Sequence, residues 1–260
     1  MPSHQFLRNI GTLTETEQDS IESTTIAIAG CGLGSEVGRQ LARFGFNITA
    51  LADLDTVEVH NLNRQSYYHR HVGTHKAEAV KDVVTQINPA LNPAVYTDGI
   101  TYENIPEFVS KGDIIIDAVD PAAIYMSLAL TREAHKQGKP VITAIDFGFG
   151  ARLFVFPASG LDIMTFMNVD PNTPDEELAN IPTEQIMRPY MNEIPQYSLD
   201  IIMRLAHGEL DYYPQNMLAV GQAALLITAA CKRVALKQPI VSAPDYVHID
   251  VDMLIEPHNS

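Results

Sequence analysis

The sequence contains no tryptophan and only two cysteines, Cys31 and Cys231. Since neither belongs to a Cys-x-x-Cys pair, neither a disulfide framework nor a thiolate zinc site is expected. Positive charge is scarce as well: 17 lysines and arginines stand against 32 acidic residues, and the net charge is −15. Because non-specific binding of nucleic acid needs clustered positive charge, DNA and RNA are not expected partners.

Long apolar segments are missing too. The N-terminus is polar and lacks the apolar core of a secretion signal, and no apolar run approaches the roughly 20 residues of a membrane span. We therefore expect no membrane contact and a cytoplasmic location. The 260 residues, 46% of them hydrophobic, suffice for one large α/β domain over residues 1–260. Residues 1–24 are expected to form an N-terminal arm and a helix, which the capping-box pair Thr14 and Glu17 would begin.

Short apolar strands alternate with amphipathic, helix-like segments up to Phe156. This alternation predicts an α/β fold with a doubly wound, mostly parallel sheet of the Rossmann type. Gly148–Phe156 and Tyr246–Asp252 are expected to add antiparallel strands at the C-terminal part of the sheet. From Pro157 the alternation stops, and we interpret residues 157–215 as a variable insertion of helical pieces that faces the substrate.

A glycine-rich turn follows the first strand, with Gly30, Gly32 and Gly34 directly before a helix. Backbone amides at such a turn can bind phosphate, because the N-terminus of a helix carries partial positive charge. The spacing departs from the dinucleotide pattern Gly-x-Gly-x-x-Gly, since Ser35 occupies the last position. Asp53 closes the next strand about 20 residues further on, where folds of this type bind a ribose hydroxyl.

Asp117 and Asp120 end another buried strand. Because ligands bind at the carboxyl ends of strands in open α/β sheets, both carboxylates are expected at the same crevice as the glycine turn. Mg²⁺ prefers one or two carboxylates together with phosphate oxygens, so a magnesium site is predicted here. The histidine-rich segment Ser66–His75 has no carboxylate partner in register, and it predicts polar loop contacts rather than a metal site.

Six short segments together carry more information than the glycine turn alone. They are Arg8-Asn-Ile, Gly30 to Ser35, Asp53-Leu-Asp55, Asn61-Leu-Asn-Arg-Gln65, Gly73-Thr-His-Lys76 and Asp117-Ala-Val-Asp120. In order and spacing they resemble the motifs of the ThiF/MoeB/HesA-type, or E1-like, adenylyltransferases. The resemblance covers the chain up to about Phe156 and again from Ala219, and Asp53 to Gln65 is its specific part. It implies an enzyme that uses ATP and Mg²⁺ to activate a carboxylate as an acyl-adenylate, with release of pyrophosphate.

The resemblance also implies roles for individual residues. Asp53 would hold the ribose of ATP. Asn61, Arg64 and Lys76 would bind its phosphates, which agrees with the chemistry, because attack at the α-phosphate requires orientation and neutralised charge. The full set of expected nucleotide-binding residues is Gly30, Gly32, Gly34, Asp53, Asp55, Asn61, Arg64, Gln65, Lys76, Asp117 and Asp120.

A metal ion and a second subunit are implied as well. Asp120 would bind Mg²⁺, whereas zinc is not expected, because the zinc cysteines of the family are missing. Arg8 would resemble the arginine that such homodimers extend to the ATP of the partner subunit. The expected catalytic residues are Arg64, Lys76, Asp120 and Arg8.

Several departures from the family pattern affect the expected reaction. Ala29 and Cys31 stand where glycines are usual, Pro121 stands where asparagine is usual, and Tyr125 replaces an arginine. No cysteine lies in residues 157–213, where ubiquitin-activating members carry their thioester cysteine. The sequence therefore predicts adenylation without an enzyme thioester. The activated carboxylate of a ubiquitin-like C-terminus, a peptide or a small acid would pass to a separate or an intramolecular nucleophile.

Two other functions stay open. A catalytically degenerate member that binds nucleotide as a partner subunit would account for the proline and tyrosine departures. An NAD(P)-dependent oxidoreductase would suit the glycine turn and Asp53 alone. That second alternative does not account for Arg64, Lys76 and Asp120 together.

Overall fold

The computed structural model describes residues 4–255, which form alternating strands and helices. The strands are β1 (Thr25–Ala29), β2 (Asn47–Ala52), β3 (Ala94–Tyr96), β4 (Ile114–Asp117), β5 (Val141–Phe147), β6 (Gly150–Phe156) and β7 (Val247–Asp250). The α-helices are α1 (Glu15–Ser23), α2 (Leu33–Phe44), α3 (Lys76–Ile87), α4 (Ile105–Ser110), α5 (Ile124–Lys136), α6 (Ile163–Phe166), α7 (Asp175–Leu178), α8 (Thr183–Met187), α9 (Gln196–Ala206), α10 (Met217–Ala235) and α11 (Val251–Ile255). Short 3₁₀-helices lie at His4–Asn9, Val59–Asn63, His69–His71, Pro121–Ala123 and Arg188–Met191.

The seven strands form one sheet in the order β3-β2-β1-β4-β5-β6-β7. β1 to β5 are parallel, β6 pairs antiparallel with β5, and β7 pairs antiparallel with β6. The predicted mostly parallel α/β sheet with antiparallel strands at its C-terminal part is confirmed. The register pairs Ala29 with Ala52 on one side and with Asp117 on the other. The carboxyl ends of β1, β2 and β4 are therefore level, and the loops that follow them meet at one edge.

Two hydrophobic clusters lie on opposite faces of the sheet. One contains Ile26 and Ile28 of β1 together with buried residues of α2, α3 and α10. The other contains Ala27 and Ala29 of the same strand together with buried residues of α4, α5 and the short helices α6 to α8. Since successive side chains of a strand point to opposite faces, β1 is buried on both sides, as a central strand of a doubly wound sheet must be.

The predicted capping box begins α1. The backbone amide of Glu17 donates to Thr14 Oγ1 at 3.2 Å, and the backbone amide of Thr14 donates to Glu17 Oε2 at 2.8 Å. These bonds satisfy two donors that a helix end would otherwise leave unpaired. The helix over Glu15–Ser23 is confirmed.

Three element boundaries differ from the predictions. α2 begins at Leu33, so Gly34 lies inside the helix and not in the turn before it. β4 ends at Asp117, because the chain turns away at Ala118 and the next two residues form a loop. The last strand ends at Asp250, and Val251–Ile255 continues as a helix. Alternating apolar residues at the end of the chain suggested a longer strand than the one observed.

α10 corrects the expectation that no segment is long and apolar enough to span a membrane. By length and composition alone this 19-residue helix could span a membrane, with a mean hydropathy of 1.4. Half of it is buried inside the protein, and its buried residues, among them Ala223 and Ile227, belong to the core cluster that covers the sheet. α10 is therefore accounted for as a core helix.

Residues 157–215 form four helices of four to 11 residues and a 3₁₀-helix. The predicted helical pieces are confirmed. Arg152 of β6, which is 1% exposed, connects this insertion to the sheet. Its guanidinium donates to the backbone carbonyls of Tyr190, Asn192 and Glu193 and lies over the Tyr246 ring, 4.1 Å from the centroid.

Candidate functional site

Gly30 and Gly34 have packing roles at the start of the crevice. Gly30 adopts φ +86°, donates its amide to the Ala52 carbonyl at 2.8 Å, and lies so close to the Ala118 carbonyl that a Cβ atom would overlap it. A Cβ atom on Gly34 would come within 2.7 Å of Ile28 Cγ2, so this glycine lets α2 pack closely on β1. Close packing within the chain thus accounts for both glycines, which were expected to bind nucleotide.

Gly32 differs from its two neighbours. The nearest atom to a Cβ at this position would be Nε2 of Gln65 at 3.4 Å, an ordinary contact. Gly32 precedes the first residue of α2, so the unpaired amides at the helix N-terminus lie beside it. The buried Oε1 of Gln65 has no hydrogen-bond partner among residues 4–255. An open glycine and an unpartnered amide oxygen are what a bound polar ligand would use.

Asp53 lies directly across from the glycine turn. Its Oδ2 accepts a hydrogen bond from the Cys31 amide at 2.6 Å, and its Oδ1 accepts one from the Asp55 amide at 2.8 Å. Burial raises the pKa of Asp53 above its ordinary value, against the lowering effect of these two donors. The carboxylate is therefore held rigidly at the carboxyl end of β2, next to the open side of the turn.

Lys76 begins α3 and is 9% exposed. Its Nζ forms an ion pair with Asp55 Oδ2 at 2.8 Å, and its amide donates to the Asp55 carbonyl at 2.8 Å. The structure therefore brings Lys76, Asp55 and Asp53 together. The predicted lysine is not an ordinary exposed one, because its ammonium group is held at the edge of the sheet by a partly exposed carboxylate.

The segment Asn61–Gln65 supplies three further predicted residues. Asn61 is buried, and its Oδ1 accepts from the Glu58 amide at 2.9 Å, so this side chain shapes its own loop. Arg64 is half-buried and donates to Asn63 Oδ1 at 2.8 Å. Burial lowers the pKa of Arg64, and the negative charge of Asp146 opposes that shift. Gln65 follows, beside Gly32.

The two aspartates after β4 occupy different environments. Asp117 is 3% exposed, and its Oδ1 accepts from Ser127 Oγ at 3.0 Å and from the Val119 amide at 3.2 Å. Burial raises the pKa of Asp117 to about 6. Asp120 is exposed, and its Oδ1 accepts from the Ala122 amide at 2.8 Å. Asp117 thus stabilises its own loop, whereas the carboxylate of Asp120 is accessible to a ligand.

The described part of the chain has no group of three or more His, Cys, Asp or Glu residues that could hold a metal ion. One accessible carboxylate fits Mg²⁺ when phosphate oxygens complete the coordination, and Asp120 is such a carboxylate. The expectation that the histidine segment lacks a carboxylate partner is wrong for His71, whose Nε2 lies 3.0 Å from Asp82 Oδ2. That pair, joined by Arg70, is a local contact between a loop and α3.

Several residues that hold the site together were missed. The Tyr67 hydroxyl donates to the Cys31 carbonyl at 2.6 Å, and the Ser66 amide donates to Ser35 Oγ at 2.9 Å. Ser66 also donates to the buried carboxylate of Glu36 on α2. These bonds fold the segment after Gln65 over the glycine turn. The sequence signal that could have identified these contacts is Ser35-Glu36, two polar residues at the buried start of α2.

Arg8 does not join the other predicted residues within one chain. It belongs to the 3₁₀-helix His4–Asn9, whose Asn9 donates to the Phe44 carbonyl at 3.4 Å and whose Gln5 donates to the Ile87 carbonyl at 2.7 Å. These carbonyls lie at the ends of α2 and α3 opposite the glycine turn. α2 has 12 residues, and at 1.5 Å per residue it spans about 18 Å.

The family model named "ThiF family" matches residues 6–245. This chain belongs to the ThiF family. The tRNA threonylcarbamoyladenosine dehydratase of Escherichia coli (strain K12) is 35% identical over 121 residues, which cover 45% of this chain and 44% of that protein. The sulfur carrier protein ThiS adenylyltransferase of the same strain is 29% identical over 140 residues, covering 54% and 55%. The chain spans about half the length of these curated relatives.

Solved structures share the fold of this ThiF-family chain. The crystal structure of E. coli MccB with AMPCPP and MccA matches with a TM-score of 0.67, covering 96% of this chain and 69% of MccB at 20% identity. The E. coli tRNA N6-threonylcarbamoyladenosine dehydratase TcdA matches with a TM-score of 0.60, covering 90% and 94%. At this identity the likeness establishes the Rossmann-like fold, and the resemblance expected from the sequence is confirmed by the family match.

Proposed function

We propose that this protein is an ATP-dependent adenylyltransferase that activates a carboxylate as an acyl-adenylate without an enzyme thioester. One observation carries the proposal: Lys76 and the segment of Arg64 are folded against a glycine turn whose Gly32, at a helix N-terminus, has only ordinary contacts. Two cationic side chains and unpaired backbone amides suit a polyphosphate. The names of relatives and of structural neighbours, which include an adenylyltransferase and a complex with an ATP analogue, support the same reaction class.

In the proposed reaction a carboxylate oxygen of the substrate attacks the α-phosphate of ATP, and pyrophosphate leaves. Asp53 would accept hydrogen bonds from the ribose, which its fixed position beside the turn favours. Lys76 would exchange Asp55 for phosphate oxygens, and Arg64 would neutralise the charge that develops on the α-phosphate. Asp120 would hold Mg²⁺, which supplies further neutralisation of phosphate charge when bound.

The test is ATP–pyrophosphate exchange, measured with peptides that end in a free carboxylate and with small carboxylic acids. We expect exchange in the wild type and a loss of about 10²- to 10⁴-fold in Lys76→Ala and Asp120→Ala. Lys81→Ala, on the same helix as Lys76, is the matched control and should keep wild-type exchange. A protein that binds NAD but has no ATP affinity would overturn the proposal in favour of an oxidoreductase.

The second candidate is a degenerate family member that binds nucleotide as a partner subunit. Pro121 starts the 3₁₀-helix after Asp120, and Tyr125 lies in the first turn of α5, where the family pattern has asparagine and arginine. The loop nevertheless keeps Asp120 accessible, which favours the active enzyme. ATP binding without exchange under any of the substrates above would favour this second candidate.

We also propose a homodimer in which Arg8 of one subunit reaches the ATP of the other. Because Arg8 lies beyond the far end of α2, it cannot serve the site of its own chain. Mixing two inactive variants, Arg8→Ala and Lys76→Ala, should restore part of the exchange activity, since a mixed dimer contains one complete site. Failure of the mixture to recover activity in a proven mixed dimer would remove this role.

The insertion over residues 157–215 is proposed to face the substrate. It ends directly before α10, beside the crevice, since Asn63 donates to the Gln215 carbonyl at 3.0 Å. The substrate would be a protein or peptide C-terminus or a small acid, and the names of relatives that act on SUMO or ThiS support the first class. We propose a single adenylation domain over residues 1–260 that works in the cytoplasm.

A further inference from the structure

A chain of hydrogen bonds connects Arg64 to a carboxylate at the end of β5. Arg64 Nη1 donates to Asn63 Oδ1 at 2.8 Å, and Asn63 Nδ2 donates to the Gln215 carbonyl at 3.0 Å. The Gln215 side chain then donates from Nε2 to Asp146 Oδ2 at 3.1 Å and to Oδ1 at 3.4 Å. Three segments that are far apart in sequence therefore meet at one place: the loop after β2, the end of β5 and the residue before the N-cap of α10.

The two opposite charges at the ends of this hydrogen-bond chain do not form an ion pair. Arg64 and Asp146 carry opposite charges and are near enough for each to act on the pKa of the other. Arg64 nevertheless takes part in no ion pair within residues 4–255. Since a guanidinium–carboxylate pair is stronger than an amide–carboxylate hydrogen bond, the Gln215 amide occupies a position that Arg64 would otherwise favour.

The position of Gln215 is itself fixed by its neighbour. Asn216 caps α10, because its Oδ1 accepts from the Leu218 amide at 2.9 Å, and its Nδ2 donates to the Gly148 carbonyl at 2.7 Å. Gly148 directly follows β5, the strand that carries Asp146. Asn216 therefore anchors the start of α10 to the end of β5, and this anchor holds the neighbouring Gln215 against Asp146.

We propose that Gln215 and Asn63 are positioning residues for the adenylation reaction. Gln215 occupies the Asp146 carboxylate and so prevents it from capturing Arg64, while Asn63, together with the His60 carbonyl at 3.3 Å, fixes the freed guanidinium by accepting its hydrogen bonds. This inference rests on the proposed function, because it assigns Arg64 to the phosphates of ATP. A purely structural network would change stability, but it would not change the affinity for phosphates selectively.

The first experiment is a double-mutant cycle read by calorimetric titration with Mg-ATP and with adenosine. Asn63→Ala should weaken ATP binding about tenfold, the loss of one charge-assisted hydrogen bond, and should leave adenosine binding unchanged. If Asn63 acts through Arg64, the variant Arg64→Ala/Asn63→Ala binds ATP no more weakly than Arg64→Ala alone. Additive losses, or an equal loss for adenosine, would overturn the role of Asn63.

The second experiment is a rescue. Gln215→Ala should weaken ATP binding about tenfold, because Asp146 is then free to pair with Arg64. Adding Asp146→Asn removes the competing charge, and the variant Gln215→Ala/Asp146→Asn should return to within about twofold of wild type. Gln196→Ala is the matched control, since it breaks another glutamine–aspartate hydrogen bond, to Asp200 in α9, away from Arg64.

The outcomes separate the two proposals. Wild-type ATP affinity with no effect of Gln215→Ala, or a loss that Asp146→Asn does not rescue, overturns the positioning role and leaves the adenylation proposal standing. A wild-type protein without ATP affinity overturns the adenylation proposal, and the positioning role with it.

Discussion

The two regions that border the crevice are built in opposite ways. Residues 25–87 contain two helices of 12 residues each, packed on strands that are buried on both faces. Residues 157–215 contain helices of four, four, five and 11 residues. Isolated helices shorter than about 12 residues are unstable in water, so the second region depends on its attachments to the sheet. The nucleotide side is therefore rigid by its own packing, whereas the short helices of the insertion are ordered by the core cluster they share with the sheet and by a few polar side chains.

Those attachments can be named. Arg152 reaches from β6 to three carbonyls after α8, and Arg132 reaches from α5 to the Thr173 carbonyl at 2.7 Å and to the Asp175 carboxylate. Tyr197 of α9 donates to the Asp250 carboxylate at the end of β7. The region proposed to face the substrate is thus fixed by polar contacts to β6, α5 and β7 that do not involve the glycine turn.

The largest loss of stability should come from a substitution at Gly30, on the nucleotide side. Gly30→Ala places a Cβ atom into the Ala118 carbonyl at φ +86°, and we expect a loss of roughly 3 kcal/mol or more in the free energy of unfolding. Gly32→Ala meets only ordinary contacts and should change stability by less than about 1 kcal/mol, while it weakens ATP binding. Urea denaturation and titration with ATP measure the two effects, and equal destabilisation by both variants would contradict the division of roles within the turn.

The next largest loss of stability should follow when the insertion loses its attachment to β6. Arg152→Met leaves the carbonyls of Tyr190, Asn192 and Glu193 without their donor, which should cost about 3 kcal/mol. Hydrogen exchange should accelerate in residues 183–206 and stay slow in residues 25–87.

Arg132→Met is the matched control for that loss. Its ion pair with Asp175 is partly exposed, with side chains 27% and 48% accessible, so its removal should cost about 1 kcal/mol or less. If Arg152→Met accelerates exchange equally in both regions, the two sides of the crevice unfold together and the comparison fails.

The same contrast explains what the sequence could predict. Residues 25–87 were predictable because their signals are local: β-branched strands, a glycine turn, and a helix that ends at Gly45. The distance from the glycine turn predicted Asp53, and the resemblance to the family predicted Lys76, which the structure pairs with Asp55. Arg152, Asp146 and Gln215 were missed, because each acts on residues more than 35 positions away, and nothing local marks them.

Asp117 and Asp120 show the same limit on a smaller scale. Both follow one apolar strand, and the sequence predicts one crevice for both. Asp117 is buried because its Oδ1 finds Ser127, ten residues further on, in α5. That contact depends on where α5 packs, which the spacing of the two aspartates does not encode.

The third prediction tests the buried aspartate. The pKa of Asp117 is raised to about 6 in the folded protein, whereas an unfolded aspartate has a pKa of about 3.9. The folded state therefore binds more protons than the unfolded state between these values, and stability falls as pH rises from about 4 to about 6. Asp117→Asn keeps an acceptor for Ser127, should remove this slope, and should stabilise the protein at pH 7 by about 3 kcal/mol.

Denaturation at several pH values measures the slope, and Asp120→Asn, at an exposed site, should leave it unchanged. An Asp117→Asn variant that keeps the wild-type slope would mean that another group causes it. A variant that loses stability at pH 7 would mean that the charged carboxylate of Asp117 stabilises the fold.

The smallest effect should come from α1, which lies outside both regions. Thr14→Ala removes the acceptor for the Glu17 amide, and loss of such a cap should cost about 1 kcal/mol. Thr16→Ala, inside the same exposed turn, removes no capping bond and should change stability by a few tenths of a kcal/mol at most. α1 contacts β2 and α10. If the nucleotide side is rigid by its own packing, fraying of α1 should nevertheless leave ATP affinity unchanged. A loss of ATP affinity in Thr14→Ala that exceeds the loss in Thr16→Ala would show that this rigidity extends to, and depends on, the N-terminal helix.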